Sequence, residues 1–485
     1  MRGRAGPVMI LSVSELEAGR EPDIAIIGSG PAGMTLAAEL HAAGKDVLVL
    51  EAGGNTFSER SQDIYRGEIR GEAYQPLDEV RLRYLGGSSN HWGGRCRPLE
   101  AIDFEARADI PETGWPISRA DLDPYAARAA QILEIAGDFE EESLAHGIRR
   151  PASSQISDPP VRFGLDYLPL FEAAQGPALC LEANVTGLET ENGRVTAATV
   201  RDYDGNSARV RAGHFVLACG GIENSRLLLH FNAATAGRLV PQDAALGRYW
   251  MDHGNTELGH ALLEEVPAEM IVLAMEPDRQ RAQRALNGIL LVQPRGDDSR
   301  GWALDLAADL ACHAPRLGDW AYNRLGRTLY CDARIAGVWE MAPHRDNRIT
   351  LSATERDRFD IPKTVLHLAG TAQDRRTARQ MALQYGEFLA RSGGGRLLMR
   401  DWLRDEDAAP DFPEDWLMNQ YHHLGGTRMS ARAGEGVVDS DLRVWGQENL
   451  HVAGSSVFPT GGYANPTYTI VQLALRLADH LGARL

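Results

Sequence analysis

Gly28-Ser29-Gly30-Pro31-Ala32-Gly33 and, 21 positions after Gly30, Glu51 have types and spacing that suggest a chemical task. Glycines so placed let the chain turn tightly at Gly28, bring backbone against a pyrophosphate at Gly30 and pack a helix closely on a strand at Gly33. An acid about 20 residues further on accepts hydrogen bonds from ribose hydroxyls. The task is to hold a dinucleotide, with the free N–H groups of a helix starting at Pro31 facing the phosphates. A second loop, residues 85–99 (LGGSSNHWGGRCRPL), places the polar atoms of Ser88, Ser89, Asn90 and His91 between Gly86-Gly87 and Gly93-Gly94, so it can lie flat on a planar body. A third dense region, residues 421–430 (YHHLGGTRMS) and 449–481, carries the adjacent His422 and His423, then Asn465-Pro466. Neutral imidazole accepts protons near neutral pH. Asn followed by Pro is the N-cap then N1 pattern of a helix start.

These residues need elements to position them. Residues 24–27 (IAII) form an apolar run suited to a buried parallel strand. A helix from Pro31 follows, with Leu36, Ala37, Leu40 and Ala43 at apolar spacing and Gly44 to end it. Residues 47–50 make a second strand closing on Glu51. Residues 195–200 and 208–210 flank Asp204-Gly205, a hairpin signal. Residues 215–218 form a buried strand running into Cys219-Gly220-Gly221 and a helix from Ile222, a second strand–glycine–helix junction that completes the nucleotide site. Residues 103–137 read as a turn and an amphipathic helix capped by Ser118 or Asp121. Residues 288–292, 348–352 and 364–368 read as strands, and 373–392 as a helix ended by Gly393-Gly394-Gly395. Residues 450–453 form a strand that returns to the sheet. Ile470, Leu473, Ala474, Leu477, Ala478 and Leu481 give the last helix one buried face. Residues 58–85 are polar and irregular. Residues 254–339 carry no strong motif, only charged stretches at 278–284 and 297–300, and suit a substrate-covering part.

A chain of 485 residues, 44% hydrophobic, can bury large cores and divides into roughly two to four domains. Its net charge of −17 weighs against nucleic acid or anionic lipid as a partner. No apolar run approaches the ~18 residues of a membrane span, and MRGRAGPVMILSV has too short an apolar core for a signal peptide. The expectation is a soluble, cytoplasmic protein, started at Met1 or Met9. Cys96, Cys180, Cys219, Cys312 and Cys331 form no CxxC and no ligand spacing, so neither disulfides nor a metal are expected.

Together, GSGPAG, EAGG, GGSSNHWGG, LACGGIENSRLLL, GRYWMDH, HHLGGTRM and VAGSSVFPTGGYANPTYTI resemble the glucose-methanol-choline oxidoreductases, from Asp23 almost to Leu481 and only loosely in the middle third. The resemblance implies a two-domain α/β flavoprotein that binds FAD and oxidises an alcohol, hydride passing to flavin N5. A discontinuous Rossmann-like FAD domain (20–100, 175–254, 420–485) would enclose a substrate domain of sheet and helices (101–174, 255–419). Implied cofactor contacts are Gly28, Gly30, Pro31, Ala32, Gly33, Glu51 and Ala52; Gly87, Ser88, Asn90, His91, Trp92, Gly93 and Gly94; Val185, Ala218 and Gly220; and Gly454, Ser455, Asn465, Pro466 and Thr467. By position, His423 stands three residues before Gly426-Thr427, where the family keeps its catalytic base, and Asn465 takes the second active-site position. Asn465 is expected also to cap N–H groups of Thr467 or Tyr468, and His422 to be structural. The His/Asn pair resembles the pyranose and choline oxidase branches and implies a sugar, glycoside or cyclic polyol. Oxidation of a sterol-like or terpenoid-like alcohol, or a flavin lyase with no net redox, are the alternatives. An NAD-dependent dehydrogenase is disfavoured by the lack of a second GxGxxG unit. His91 aligns with the histidine that relatives attach covalently to FAD. The electron acceptor (oxygen, quinone or carrier protein) stays open. At Gly454-Ser455 the chain departs from the Asp-Ala of many relatives.

Overall fold

A computed structural model describes residues 10–16, 20–294, 332–406, 411–418 and 420–485, with 314 and 409 besides. Its centre is a six-stranded parallel sheet in the order Ile10–Leu11, Ala178–Cys180, Val47–Leu50, Ile24–Ile27, His214–Leu217, Leu450–Val452. The strand, helix and strand read around Gly28 appear as Ile24–Ile27, Pro31–Ala42 and Val47–Leu50. Every residue of the two strands is buried, as continuous apolar runs in a covered parallel sheet must be. Helix Pro31–Ala42 packs on the last helix, Thr467–Gly482, whose buried positions include Leu473, Ala474, Leu477, Ala478 and Leu481. Each such leucine contributes about 1.5–3 kcal/mol of burial. The first and last motifs of the chain are thereby brought to one end of one sheet.

The second body is a seven-stranded antiparallel sheet in the order Gly395–Met399, His253–Leu263, Ala333–Glu340, Gly288–Pro294, Ile271–Met275, Ile148–Arg150, Glu142–Ser143. Helix Ala372–Ser392 packs against it. Thr371 caps that helix by accepting from the Asp374 amide, and Gly393 ends it at φ +71°. Both halves of the hairpin around Asp204-Gly205 are present, as Arg194–Arg201 and Ser207–Val210.

The structure departs from the sequence reading in several places. The stretch 58–85 is not irregular throughout: Gly67–Gly71 is a strand pairing in parallel with Pro362–Leu368, a partner about 300 residues away that local pattern cannot announce. Ile10–Leu11 joins the parallel sheet from before residue 20, and His253–Leu263, a strand of the antiparallel sheet, begins inside 175–254. The charged stretch 278–284 forms a helix, Pro277–Gln283. The stretch 297–300, Cys312, Cys331 and both candidate start residues lie outside the described residues. Cys96, Cys180 and Cys219 are free thiols. No helix among the described residues is long and apolar enough to cross a membrane.

Candidate active site

The carboxyl ends of four parallel strands, at Ile27, Leu50, Ala218 and Gly454, open onto a cavity of about 1090 Å³. This is the edge at which open α/β sheets take ligands. Three glycines divide the work there. Gly28 has φ +105°, and a Cβ on it would lie 2.6 Å from the Ala218 carbonyl oxygen. A Cβ on Gly33 would lie 2.0 Å from the Gly28 carbonyl oxygen, while one on Gly30 would meet nothing within 4 Å. The first two pack the turn, and Gly30 leaves open space at the helix N-terminus, where N–H groups and the helix dipole favour an anion. Glu51 Oε2 accepts from the amide and hydroxyl of Ser29 (3.1 and 2.5 Å), and Oε1 accepts from the Gly53 amide at 2.7 Å. The carboxylate is thus fixed on the cavity wall with lone pairs to spare.

Gly28, Gly30, Pro31, Ala32, Glu51, Ala52, Gly87, Ser88, His91, Trp92, Gly93, Val185, Ala218, Gly220, Gly454, Ser455, Asn465, Pro466 and Thr467 all line this cavity. Gly33, Asn90 and Gly94 do not. Gly33 is sealed under the turn. Asn90 spends its amide on the Leu85 and Gly87 carbonyls (2.8 and 3.0 Å), holding the shape of its own loop. Gly94, at φ +70°, faces the Ser157 carbonyl. The loop is clamped from outside by Arg162, which donates to the Ser89 and Trp92 carbonyls (2.6 and 2.9 Å) and leaves the His91 ring exposed on the wall.

At the other end of the cavity stand His422, His423 and Asn465. The Gly454-Ser455 departure has a local use here: Gly454 adopts φ +108°, and the Ser455 hydroxyl donates to the His423 carbonyl at 2.6 Å. Gly221 lets the His423 backbone approach, since a Cβ there would lie 2.2 Å from the His423 carbonyl oxygen. The two histidines diverge. The Asn465 amide meets His422 Nε2 at 2.9 Å, and His422 Nδ1 lies 3.0 Å from His253 Nδ1, so both nitrogens of His422 are engaged. His423 Nε2 lies 3.1 Å from the Tyr74 hydroxyl, and its Nδ1 has no partner among the described residues and is not sealed from the cavity. Burial, assisted by the charge of Arg81, pushes His423 down to about 3, and burial pushes His422 down to about 4. Both rings are neutral at ordinary pH.

One expectation for Asn465 is corrected. The last helix begins at Thr467 with Pro466 itself at the N-cap and no side-chain cap bond, because the Asn465 amide is turned into the cavity toward His422. The loop that presents it is anchored from below: the Gly461 amide donates to Glu340 (3.1 Å), the Tyr463 hydroxyl to Glu100 (2.5 Å) and the Thr460 hydroxyl to the Asp103 carbonyl (2.6 Å). Burial beside Glu340 and Glu100 pushes Asp103 up to about 8, so this acid cluster does not carry its full formal charge.

Sequence reasoning gave no role to Tyr74, Asp252, His253 or Arg81. Asp252 is fully buried, with Oδ1 accepting from the His253 and His422 amides (2.8 and 3.0 Å) and Oδ2 from the Tyr74 hydroxyl (2.6 Å). Asp252, His253 and His422 come within ion-holding range, but these hydrogen bonds account for their spacing and no metal is assigned. Asp252 and His253 end the GRYWMDH stretch, the one signal that could have pointed to them. Tyr74 sits in unpatterned chain. The far wall is aliphatic: Val272, Leu291, Ile289 and Val338 line it from three adjacent strands, cross-paired as Val272 with Leu291 and Ile289 with Val338.

Residues 343–474 match the family model described as GMC oxidoreductase, and residues 26–81 match that of an NAD(P)-binding Rossmann-like domain. A C-glycoside 3-oxidase of Microbacterium trichothecenolyticum is 26% identical over 82% of this chain and 75% of its own. A 2-methyl-1,2-propanediol dehydrogenase of Mycolicibacterium austroafricanum is 23% identical over 96% of each chain. Among solved structures, pyridoxine 4-oxidase from Mesorbium loti superposes with a TM-score of 0.57 at 17% identity, covering 94% of this chain and 98% of that one, a likeness of fold.

Proposed function

We propose, on the premise that the chain belongs to the GMC oxidoreductases and is an enzyme that oxidises a CH–OH group, that its substrate is a sugar, glycoside or cyclic polyol and that His423 takes the hydroxyl proton. FAD is the cofactor the family implies, and the cavity suits it: the open space at Gly30 before a helix N-terminus fits a pyrophosphate, and Glu51 is held where a ribose would lie. When bound, FAD supplies the hydride acceptor. The chain supplies the rest. His423 offers a neutral ring nitrogen to the cavity, Asn465, held by His422, stands beside it to orient a hydroxyl, and the aliphatic wall excludes water from the reacting carbon. In this reading residues 20–100, 175–254 and 420–485 carry the cofactor, and 101–174 and 255–419 carry the substrate. His91, exposed on the wall of the cofactor loop, is the residue through which FAD would be attached covalently.

The observation that carries the choice of base is the contrast between the two histidines: His422 has both ring nitrogens engaged, and His423 keeps one toward the cavity. The substrate class draws support from the glycoside oxidase among the relatives. Anaerobic mixing of the yellow protein with sugars, glycosides, polyols and sterols tests it. Bleaching of the flavin by a member of the first three groups is expected. Bleaching by sterols alone would replace the substrate class, and no bleaching by any alcohol would refute the oxidation itself.

A further inference from the structure

We propose that Tyr74, held by Asp252, is a positioning residue that fixes His423 in one tautomer, with the proton on Nε2 and the lone pair of Nδ1 facing the substrate. The inference rests on His423 being the base. The Tyr74 hydroxyl lies 2.6 Å from Asp252 Oδ2 and 3.1 Å from His423 Nε2. A carboxylate can only accept, so Tyr74 gives its one proton to Asp252, and its oxygen is left to accept from His423 Nε2–H. Burial and the Asp252 charge push the Tyr74 hydroxyl well above its ordinary range, so it stays a donor. The other lone pairs of Asp252 are taken by the His253 and His422 amides, which fixes the carboxylate and, through it, Tyr74.

Packing agrees with the hydrogen bonds. The buried Trp250 indole meets Tyr74 edge-on at 5.6 Å between ring centroids and lies 6.1 Å from the His423 ring at 32°. Tyr74 and His423 are 6.3 Å apart. The imidazole is thus walled by two aromatic rings and tethered at one nitrogen, which leaves the opposite nitrogen for chemistry. The groups facing His423 are Tyr74 and the charged or ionisable Arg81, His422 and His91, and Tyr74 alone among them makes a hydrogen bond to its ring among the described residues. As the alcohol proton arrives at Nδ1, the ring becomes cationic, and the Tyr74–Asp252 dyad is the fixed dipole and charge behind it.

The test reads the tautomer directly, by ¹⁵N NMR of holoenzyme carrying ¹⁵N-labelled histidine near neutral pH. The His423 signal is identified as the one lost in His423→Gln. The expected result is a protonated Nε2 and an unprotonated Nδ1 in the parent, and a mixed or reversed tautomer in Tyr74→Phe, whose ring keeps the packing and loses only the hydroxyl. Flavin reduction in Tyr74→Phe should slow ~10- to 100-fold, the scale of a hydrogen bond to a charged partner, with FAD content and substrate half-saturation unchanged. A parent with Nδ1 protonated, or a Tyr74→Phe enzyme with parental tautomer and rate, would overturn the proposal. Its failure is separable from that of His423 as base, because the parental tautomer is read without turnover, whereas the base assignment fails if His423→Ala reduces at the parental rate.

Discussion

Gly30 and Gly33 stand three residues apart in one motif, and the structure gives them opposite reasons for being glycine. Their alanine variants should therefore fail in opposite ways. At Gly30 the backbone is extended (φ −71°, ψ −175°) and an added Cβ meets nothing within 4 Å, so flavin-free Gly30→Ala should unfold within about 1 kcal/mol of the parent. The new methyl instead occupies space that a phosphate needs in order to reach the helix N–H groups. Loss of one charge-assisted hydrogen bond there costs about 1.5–3 kcal/mol, a 10- to 150-fold loss of FAD affinity. At Gly33 the methyl would lie 2.0 Å from the Gly28 carbonyl oxygen, which is backbone and cannot swing aside. The helix or the turn must move, at the ~1–3 kcal/mol or more typical of overpacking, paid in the stability of the flavin-free protein. Urea unfolding of the flavin-free proteins, paired with FAD titration followed by flavin fluorescence, separates the two effects. A Gly30→Ala protein that binds FAD as tightly as the parent, or a Gly33→Ala protein no less stable than Gly30→Ala, would refute this division of labour.

His423→Ala should keep FAD bound and lower the rate of flavin reduction by an alcohol ~10²-fold or more, the scale of a positioned base, as measured by stopped-flow absorbance. His422→Ala should cost less, because that ring supports Asn465 and His253 rather than offering a free nitrogen; equal losses would erase the distinction between the two. Asn465→Asp removes the donor 2.9 Å from His422 Nε2 and sets a carboxylate there, so the His422 proton must move to Nε2 and its contact with His253 Nδ1 must reverse. Slower reduction with an unchanged melting temperature is expected, and parental reduction kinetics would show that the Asn465 amide has no part in the reaction. Acid precipitation should carry the yellow colour into the pellet if His91 is bonded to the flavin; colour wholly in the supernatant counts against the bond.

The parts legible in the sequence were those whose cause is local. Ile24–Ile27, Pro31–Ala42 and Val47–Leu50 follow from apolar runs and glycines within 30 residues, and the end of helix Ala372–Ser392 from the glycines that follow it. Cofactor residues carried over by motif mostly line the cavity, because a motif encodes a turn whose backbone must face the ligand. Asn90 and Gly94 do not line it for the converse reason: a loop residue that holds the loop's shape has the same polar or glycine character as one that touches a ligand. The Asn465 cap was misplaced because an Asn before Pro suits a helix start wherever its amide points, and a histidine 43 positions earlier in the chain decided the direction. Tyr74 was invisible: its partners Asp252 and His423 are 178 and 349 positions away, and nothing in the flanking residues marks it.

The divergence of His422 and His423 has a single organiser. Asp252 Oδ1 holds the His422 backbone amide, which sets where that residue enters the cavity, while Oδ2 holds Tyr74, the only described residue hydrogen-bonded to the His423 ring. One carboxylate therefore fixes one histidine by its backbone and the other by its side chain. Burial raises Asp252 to about 6, and the hydrogen bonds from Tyr74 and from the His253 and His422 amides oppose that rise. The adjacent chain is tied as well: Met251 and Leu424 exchange backbone hydrogen bonds of 2.9 Å in both directions, so the Asp252 segment and the histidine segment move as one ladder. Neither histidine can take the other's place without breaking that ladder or stranding the carboxylate. Two identical side chains side by side in sequence are thus given different work by one buried acid, whose own position in the chain, next to His253, is set by the strand His253–Leu263 of the antiparallel sheet.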